Sequence, residues 1–541
     1  MTTLFVCLLA ALFPGGELRA EVYDVVVVEG TPGGVACAVR AARQGCRVLL
    51  VNRTDHLGGM LSSGLGVWDT LWEGRRSPIY DTLRQGLFDH YRETYGEDSP
   101  QYRHALPDKS GHRNGKFEPH VMEKLITDMV AAEPNIEVLK GYVPIAAQRD
   151  GRRLTGITVR QFRGTDTKQI RGKVFADCSY EGDLLPLATV EYRVGRESRD
   201  EFHEPHAGVI YLRRTEQRTP LVSAAQLEAR ESLPLRKFKG FQEILSPEST
   251  GAGDSNVQAF NYRSTLTSDP ANRVPIEKPR DYDPAKLADL EYSSRVRPIP
   301  NQKLSWNRPQ LVGPHQAYVE GDWAARQKVM DAHWDATMAL LWYLQHDPAV
   351  PKKERAYWSK FGLAKDEFAD NGHRPYEIYV REARRLRGRY VLSQRDLMPK
   401  QGTTQVPKHA DAIAMTDWYM DSHAVTKGSV RGSLDDGKMM LHAETWPGQI
   451  PYRCLLPVDL ENVLVPVCLS STHVAWGAVR LEPTWLQTGE AAGYAAAMAI
   501  ENDQPPEGID VPRLVDTLRA NGFLIDFYTQ QHEMFPMDSA R

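Results

Sequence analysis

Cysteine is scarce in this chain, and the few cysteines lie far apart. The sequence has 6 cysteines in 541 residues, with neither a C-x-x-C pair nor an H-E-x-x-H motif. Apart from Cys7 they are Cys37, Cys46, Cys178, Cys454 and Cys468. This spacing excludes a disulfide framework, and the missing motifs exclude the common zinc and dithiol redox sites. We therefore expect no bound metal.

The sequence also lacks a strong charge of either sign, internal repeats and a long apolar run. Its 66 Lys and Arg residues nearly balance its 70 Asp and Glu residues, for a net charge of −4. This balance argues against nucleic acid and anionic membrane surfaces as partners. The apolar run at residues 4–13 is too short to span a bilayer, so we expect no stable membrane anchor.

The same short run has features of a secretory signal peptide. It is followed by Pro14 and two glycines, and Ala20 stands where a small residue precedes a cleavage site. Residues 1–20 are thus predicted to be a signal peptide, and the mature protein is expected to be periplasmic or secreted. Residues 1–3 carry no positive charge, so a mis-assigned start codon or a disordered leader is the alternative.

The most informative segment is residues 22–52. Residues 25–28 are four valines, a pattern typical of a parallel strand buried on both faces. Gly33 and Gly34 allow a helix to begin close behind this strand, Gly45 ends the helix, and residues 47–51 form the next strand. The N–H groups at such a helix start attract a pyrophosphate, so the segment predicts a dinucleotide site.

Two residues depart from the usual dinucleotide fingerprint. With Gly34 as the third glycine of G-x-G-x-x-G, Glu29 stands at the first glycine position and Thr31 at the second. Asn52 stands at the end of the second strand, where an acidic residue usually binds the ribose hydroxyls. Arg53 beside it would suit a 2′-phosphate, yet a single NAD(P)-type site would leave the C-terminal segments without a ligand. The alternative is an α/β turn that binds nothing.

Residues 55–66 form a loop with four glycines, at positions 58, 59, 64 and 66. This density predicts close approach of the backbone to a flat or bulky group. Met60, Leu61 and Leu65 are apolar, which is unusual in a solvated loop. A flexible surface loop is the alternative.

An amphipathic helix is predicted at residues 119–132, followed by strands near residues 136–139, 154–160 and 170–176. The last of these strands ends in a polar segment that contains Asp177, Ser179, Glu181 and Asp183. Sheets of α/β proteins bind ligands at the carboxyl ends of their strands, so these side chains are expected near the ligand. The alternative is an acidic loop that caps the next helix.

The middle of the chain has a different composition, rich in Arg, Trp, Tyr and Pro, with helices predicted at residues 322–345 and 375–389. We interpret residues 196–444 as an inserted α+β substrate or cap domain. The α/β domain would then consist of residues 21–195 and 445–541.

The α/β pattern returns in the last hundred residues. A buried strand is predicted at residues 462–469, a loop at 470–480, and a helix that begins at Glu482 and Pro483. Gly489 and Gly493 weaken helix propensity, so we expect them to let this helix lie close against a neighbour. Its start is a second candidate site for negative charge.

Several of these separated segments together resemble one family. They are residues 25–34, 56–60, 177–183, 194–197, 258–263, 379–385, 420–423, 465–473 and 480–484. The chain resembles FAD-dependent oxidoreductases of the glutathione-reductase-like superfamily, in particular a bacterial group sometimes labelled xanthan lyase. The resemblance implies an α/β fold, with a Rossmann-like FAD-binding domain that has a parallel sheet and a β-meander, and with an inserted α+β cap domain.

The resemblance also implies that FAD lies extended across the sheet. Its pyrophosphate would lie at Gly33 and Gly34, its adenosine ribose near Asn52, and its isoalloxazine between the glycine loop and the last helix start. The residues expected to bind FAD are Gly30, Thr31, Pro32, Gly33, Gly34, Asn52, Arg53, Gly58, Gly59, Met60, Asp177, Ser179, Gly182, Asp183, Arg480, Glu482 and Pro483.

Hydride transfer from a hydroxyl-bearing carbon to flavin N5 needs a base for the hydroxyl proton. His423 and His473 are the first candidates, because each lies in a polar loop beside small residues and within a family-like motif. Tyr452 and Arg453 are candidates for binding a substrate oxygen. Histidines with a purely structural role are common, and this is the alternative for both.

An arginine cluster has two interpretations. Its members are Arg381, Arg384, Arg385, Arg387 and Arg389. They form either a solvated helix face paired with Glu377 and Glu382, or a site that recognises an acidic substrate.

The leading hypothesis is an exported FAD-dependent oxidoreductase that oxidises a hydroxylated small molecule, with carbohydrate as the preferred substrate class. The sequence does not identify the electron acceptor. One alternative is a non-oxidative polysaccharide lyase or hydrolase with a structural or internally cycling flavin. The other is a degenerate flavin-fold binding protein, which Glu29 and Asn52 motivate.

Overall fold

The structure is a computed structural model that describes residues 22–107, 114–215, 223–236, 242–287, 290 and 296–530. The predicted signal peptide at residues 1–20 lies outside the described residues. Among the described residues, no helix combines the length and the apolar character needed to cross a membrane. The five cysteines in this part of the chain are unpaired and buried.

The first part of the chain alternates strands and helices before three long consecutive strands. Its elements are β1 Val22–Val28, α1 Pro32–Arg43, β2 Val48–Asn52, α2 Gly59–Ser62, α3 Pro78–Tyr95, α4 Pro100–Ala105, α5 Pro119–Ala131, β3 Ile136–Lys140, β4 Tyr142–Asp150, β5 Arg153–Gln161, β6 Thr167–Asp177 and α6 Leu184–Leu187. The helix predicted at residues 119–132 and the three strands that follow it are confirmed.

These strands form one sheet in the order β3, β2, β1, β6, β5, β4. The pairs among β3, β2, β1 and β6 are parallel, whereas β4, β5 and β6 form an antiparallel meander. Val28 lies opposite both Val51 and Asp177, so the carboxyl ends of three adjacent strands meet at one edge. The α/β fold class and the meander are confirmed.

The valines of β1 are buried on both faces of the sheet, as the sequence predicts. Val25 and Val27 pack in the cluster that contains α1 and the last long helix, and Val26 and Val28 pack with residues of β5. This double burial explains why the strand has no polar alternation.

The middle of the chain builds a second, antiparallel sheet. Its elements are β7 Tyr192–Arg193, α7 Arg199–Phe202, β8 Leu212–Thr215, α8 Ala224–Ser232, β9 Gln242–Leu245, β10 Ser264–Thr267, β11 Arg273–Val274, β12 Val296–Ile299, β13 Lys303–Trp306, α9 Gln316–Val319, α10 Trp323–His346, α11 Lys352–Trp358, β14 Gly362–Ala364 and β15 Arg385–Leu386. The sheet order is β11, β14, β10, β13, β12, and α10 and α11 share its apolar cluster. The helix predicted at residues 322–345 is confirmed as α10.

The last part returns to the first sheet. Its elements are β16 Ala412–Thr416, β17 Met420–Ser422, β18 Met439–Leu441, β19 Gly448–Pro451, β20 Val463–Leu464, α12 His473–Val479, α13 Glu482–Glu501 and α14 Val511–Ala520. β20 pairs in parallel with β6, so the end of the chain completes the sheet begun by β1. The domain boundaries at residues 195 and 445 stay a prediction.

The two glycines of α13 allow close packing against α1, as predicted. A Cβ atom on Gly489 would lie 2.1 Å from the carbonyl oxygen of Gly33, and one on Gly493 would lie 2.6 Å from that of Cys37. Real side chains do not reach such distances from a backbone atom, so only glycine permits this contact. The contact packs the first turns of α1 against the stretch of α13 that contains Gly489 and Gly493.

Two predicted elements were wrong, and the strand predicted at residues 462–469 was too long. Residues 375–389 are extended and carry only the two-residue strand β15, because buried hydrogen bonds and ion pairs of Arg381 and Arg385 outweigh helix propensity. Residues 462–469 form a strand only at β20. Beyond β20 the backbone hydrogen bonds go to segments outside the sheet; for example, Val465 N donates to Leu455 O. The loop predicted at 470–480 contains α12, whose N-cap is Thr472.

Candidate active site

The turn after β1 is tight, and it brings the start of α1 close to the sheet. A Cβ atom on Gly34 would lie 1.9 Å from the carbonyl oxygen of Glu29, so this position requires glycine. Thr31 caps the helix by accepting a hydrogen bond from Gly34 N at 3.2 Å and donates one to Cys178 O at 2.7 Å. Glu29 has a positive φ of 72°, which glycine adopts at lower cost.

Asn52 holds this turn together. Its Oδ1 accepts a hydrogen bond from Gly30 N at 2.8 Å, and its Nδ2 donates to the carbonyl oxygens of Thr54 at 2.8 Å and His56 at 2.9 Å. A carboxylate has no N–H to donate, so an acidic residue could not replace it. Asn52 therefore has a structural role here, whatever it contributes to a ribose.

A buried charged cluster lies beside the turn. Arg53 forms an ion pair with Glu377, and its backbone N lies 3.5 Å from Oε2 of Glu29. The nearby Glu181 carboxylate accepts a hydrogen bond from the Tyr318 hydroxyl at 2.8 Å. Burial raises the pKa of Glu29 well above its usual range and raises that of Glu377 to about 7. Three carboxylates thus share one arginine in front of the α1 start.

The glycine loop is buried and packs against the turn after β1 and the start of α1, which we together call the cradle. Gly58 N donates to Gly30 O at 2.7 Å, and Met60 N donates to the Tyr180 hydroxyl oxygen at 2.9 Å. A Cβ atom on Gly59 would lie 2.3 Å from that hydroxyl. The predicted close approach is present, and it is to protein groups; the alternative of a flexible surface loop does not fit the burial.

The polar segment after β6 is satisfied within the protein. Asp177 Oδ2 accepts a hydrogen bond from Leu184 N at 2.9 Å, so Asp177 caps the short helix α6. Asp183 pairs with Arg326 at 2.7 Å and Arg384 at 3.1 Å. Burial raises the pKa of Asp177 to about 6, whereas the two arginines outweigh burial and lower the pKa of Asp183. The capping interpretation thus holds for Asp177.

The start of α13 carries a buried acid without a partner. Neither carboxyl oxygen of Glu482 accepts a hydrogen bond from another residue that the structure describes. Burial, with a further contribution from Asp69, raises the pKa of Glu482 to about 8. Arg480 lies just before it and donates to the Tyr379 hydroxyl at 3.1 Å and to Asp421 Oδ2 at 3.0 Å.

A cavity of about 340 Å³ opens beside Arg480, and we call it the arginine cavity. Its lining includes Asp69, Arg263, Arg297, Tyr379, Asp421, Ser422, His423 and Arg480. A second cavity of about 440 Å³ lies at the other end of the cradle, beside Arg53, His56 and Tyr376. Only about 10 Å³ is free between Glu29, Thr31 and Tyr180, which is too little to hold more than one water molecule.

His473 connects the arginine cavity to a buried acid. Its Nδ1 lies 2.9 Å from Oε2 of Glu382, and its Nε2 lies 3.3 Å from Oγ of Ser422, which lines the cavity. Arg385 Nε lies 3.2 Å from Glu382 Oε1. Burial alone would raise the pKa of Glu382, but His473 and Arg385 hold it below its usual value. An ionised Glu382 keeps a proton on Nδ1, so Nε2 faces Ser422 as an acceptor.

The other predicted catalytic residues lie in different places. His423 lines the arginine cavity, and its backbone N donates to Gln258 Oε1 at 3.3 Å. Tyr452 is buried elsewhere and donates its hydroxyl proton to Pro506 O at 2.8 Å. Arg453 pairs with Asp411 at 2.9 Å, and its side chain is 47% exposed. Neither Tyr452 nor Arg453 lines the arginine cavity.

The arginine cluster at residues 381–389 is mainly structural. Arg381, Arg384 and Arg385 are buried, so the solvated-helix interpretation is wrong for them; only Arg387 and Arg389 are more open to solvent. None of the five lines the arginine cavity. Recognition of an acidic substrate by this cluster therefore finds no support.

Comparison with known proteins identifies the family. A sequence profile described as FAD dependent oxidoreductase matches residues 24–518. The chain belongs to the FAD-dependent oxidoreductase family. FAD is accordingly its cofactor.

More distant similarities to individual members of other enzyme groups are also found. Hydroxyneurosporene desaturase of Cereibacter sphaeroides is 29% identical over 154 residues, which cover 28% of this chain and only 30% of that relative. A triple mutant of the flavin-dependent brominase Bmp2 covers 92% of this chain and 84% of its own, at 11% identity and a TM-score of 0.34. OxyS anhydrotetracycline hydroxylase from Streptomyces rimosus covers 37% and 39%, at 15% identity and a TM-score of 0.23. Both scores are low, so the family assignment rests on the profile.

The protein residues fit FAD at its two ends. The start of α1 presents the positive end of its helix dipole to a pyrophosphate, and the carboxyl group of Glu482, which bonds to no other described residue, offers a hydrogen bond beside the arginine cavity. Between these ends, Tyr180 and the Glu29 cluster fill the passage. An extended FAD therefore requires these side chains to move, and Glu29 places a bulky side chain where the dinucleotide fingerprint has glycine.

Four residues of the site escaped prediction from the sequence. Ser422, Arg263 and Tyr379 line the arginine cavity, and Glu382 orients His473. All four lie in segments that carry the family resemblance, which is the signal that would have found them.

One cluster of acidic and histidine side chains has the geometry of a metal site, but a lysine ammonium group lies within it. Among the described residues, Glu118, His120 and Asp366 are close enough to share a cation. Lys303 Nζ lies 2.6 Å from Glu118 and 2.7 Å from Asp366, so its ammonium group supplies that charge.

Proposed function

We propose that this enzyme oxidises a hydroxyl group of a small molecule, with carbohydrate as the preferred substrate class, in the arginine cavity. The observation that carries the proposal is the chain of contacts from Glu382 through His473 to Ser422, which ends at the cavity wall. FAD, when bound, supplies the hydride acceptor.

The protein residues handle the proton that the substrate hydroxyl loses. Ser422 Oγ accepts this proton while its own proton passes to His473 Nε2, and the resulting imidazolium is stabilised by Glu382. All three side chains are buried. Loss of the proton and of a hydride from the attached carbon converts the alcohol to a carbonyl.

The test is an anaerobic substrate screen on the protein purified with FAD. Hydroxylated compounds are added one at a time, and bleaching of the oxidised-flavin absorbance is followed. We expect at least one sugar or polyol to bleach the flavin in the wild type and not in His473→Gln. A colourless protein that cannot be reconstituted with FAD would contradict the proposal, and so would equal bleaching in the variant.

The same contacts support a second candidate, non-oxidative cleavage of a polysaccharide. A serine, a histidine and a carboxylate in this order form the arrangement of a hydrolase nucleophile with its base. The Ser422→Ala variant separates the two functions. A hydrolase would lose activity entirely and would consume no electron acceptor, whereas an oxidase would retain part of its activity, since water can relay the proton to His473.

The superfamily and the cellular compartment of the protein belong to the same proposal. The segments that resemble the glutathione-reductase-like superfamily and the group labelled xanthan lyase support membership of that superfamily. The apolar run before Ala20 supports export to the periplasm or beyond the cell. Mass spectrometry of the protein from its own compartment should find a mature N-terminus at Glu21; a chain that retains residues 1–20 would contradict export by cleavage.

A further inference from the structure

The arginine cavity has a cationic lining, which binding of a neutral sugar does not require. Five arginines and Lys438 line it, against the carboxylates of Asp69 and Asp421. Some of these arginines have partners outside the cavity; Arg214, for example, bonds to Glu243 at 3.1 Å. Two others, Arg263 and Arg297, share the Asp69 carboxylate within the cavity.

Arg263 is the more buried of these two, with only 3% of its surface exposed. Its guanidinium makes no hydrogen bond to any residue that the structure describes. Its nearest carboxylate is Asp69, at 3.9 Å from Nη2, and Arg297 approaches the other oxygen of the same carboxylate at 3.3 Å. A buried guanidinium with five N–H donors and no acceptor is costly unless another anion satisfies it.

The surroundings of Arg263 are consistent with a missing anion. Burial and the charge of Arg297 together lower the pKa of Arg263 to about 10. The Tyr379 ring lies 5.2 Å from its Cζ atom and gives only weak cation–π stabilisation. Glu482 lies nearby, but its raised pKa leaves it protonated at neutral pH, so it does not balance the charge.

We propose that the arginine cavity binds a substrate that carries a carboxylate, and that Arg263, with Arg297, is the ligand of this group. The proposal rests on the proposed function and deepens it, because the substrate becomes a hydroxylated carboxylic acid. Guanidinium groups bind carboxylates through paired N–H donors, which fixes both position and orientation. Ser422 lines the same cavity and lies 3.3 Å from His473, so a bound acid can present its hydroxyl to the proton path.

The test compares matched acids and neutral polyols on the FAD-saturated protein by titration calorimetry. The pairs are lactate with propane-1,2-diol, glycerate with glycerol, and gluconate with sorbitol. We expect the acid of at least one pair to bind ten-fold or more tightly than its neutral partner. The titrations are made anaerobically on protein whose flavin is reduced beforehand, so binding is measured without turnover. Acids that bind but are not oxidised by the enzyme with oxidised flavin would overturn the proposed function and leave the carboxylate site standing.

Substitutions then assign the preference to residues. Arg263→Gln should weaken binding of the acid about ten- to hundred-fold, the value of hydrogen bonds to a charged group, and leave the neutral partner unchanged. Arg297→Gln is the second variant if Arg263→Gln folds poorly. Because Arg297 lies nearer to solvent, we expect its substitution to cause a smaller loss of affinity for the acid. The matched control is Arg387→Gln, an exposed arginine outside the cavity that should leave binding unchanged.

Two outcomes would overturn the proposal. One is that no acid binds more tightly than its neutral partner. The other is that Arg263→Gln changes the flavin spectrum or FAD affinity while the preference for the acid stays as in the wild type, which would show that Arg263 serves the cofactor instead.

Discussion

Nδ1 of His473 lies 2.9 Å from Oε2 of Glu382, in a region where both side chains are buried. The two residues come from distant parts of the chain: an extended segment delivers Glu382, and the first turn of α12 delivers His473. Because Glu382 is held ionised, it selects the tautomer in which Nε2 can accept a proton from Ser422.

This relationship predicts a large effect of Glu382→Gln on turnover. The amide keeps the size of the side chain but removes the charge that stabilises the imidazolium. We expect kcat to fall by about 10²- to 10⁴-fold with little change in KM, measured with the substrate found in the screen. The control is Glu320→Gln, at an exposed carboxylate that pairs with Arg384. Unchanged kcat in Glu382→Gln would remove His473 from the proton path.

The second prediction concerns Glu29 and FAD affinity. Glu29→Gly should lower the Kd for FAD by roughly ten-fold or more, because it removes a bulky side chain from the nearly filled passage beside the pyrophosphate site and relieves the strain of a positive φ. Kd is measured by titration of flavin fluorescence. Glu29→Gln is the matched variant: it keeps the bulk without the charge, so an equal gain there would assign the effect to charge alone. No gain in either variant would show that Glu29 moves aside freely.

The third prediction is a pH dependence of stability that Glu482 causes. Its pKa is about 8 in the folded protein against an ordinary value of 4.5, so the folded state holds a proton that the unfolded state releases between these values. The contribution of Glu482 to the free energy of unfolding therefore falls as pH rises from about 4.5 to 8. Chemical denaturation at several pH values checks this.

The comparison variant for that experiment is Glu482→Gln. Its amide cannot ionise, so the wild type should lose stability relative to the variant across this range, by several kcal/mol in total. A constant difference between the two proteins would mean that Glu482 is ionised in the fold.

The fourth prediction tests the contact between α13 and α1. In Gly489→Ala the new methyl group would lie 2.1 Å from Gly33 O, a backbone atom that cannot move alone. We expect the free energy of unfolding to fall by about 2 kcal/mol or more, with weaker FAD binding because the α1 start shifts. Gly508→Ala is the control, since the nearest atom to its new methyl group is 3.9 Å away.

The fold was largely predictable because its signals are local. Four consecutive valines, the glycines that allow a helix to begin behind them, and the glycines of α13 each report a steric requirement that one segment satisfies by itself. The wrong predictions arose where distant partners decide the conformation. Residues 375–389 have a helical pattern, yet Arg381 and Arg385 are held extended by groups from other segments.

The sequence by itself determined the sheet, the cradle, the family and the two histidines that lie near one cavity. Only the tertiary structure showed that His473 has Glu382 and Ser422 on its two sides, that Tyr452 and Arg453 lie elsewhere, and that Arg263 is buried without a hydrogen bond to the part of the chain that the structure describes. The reason is physical: a steric requirement can be read from neighbouring residues, whereas a charge depends on which distant groups the fold brings within a few ångströms.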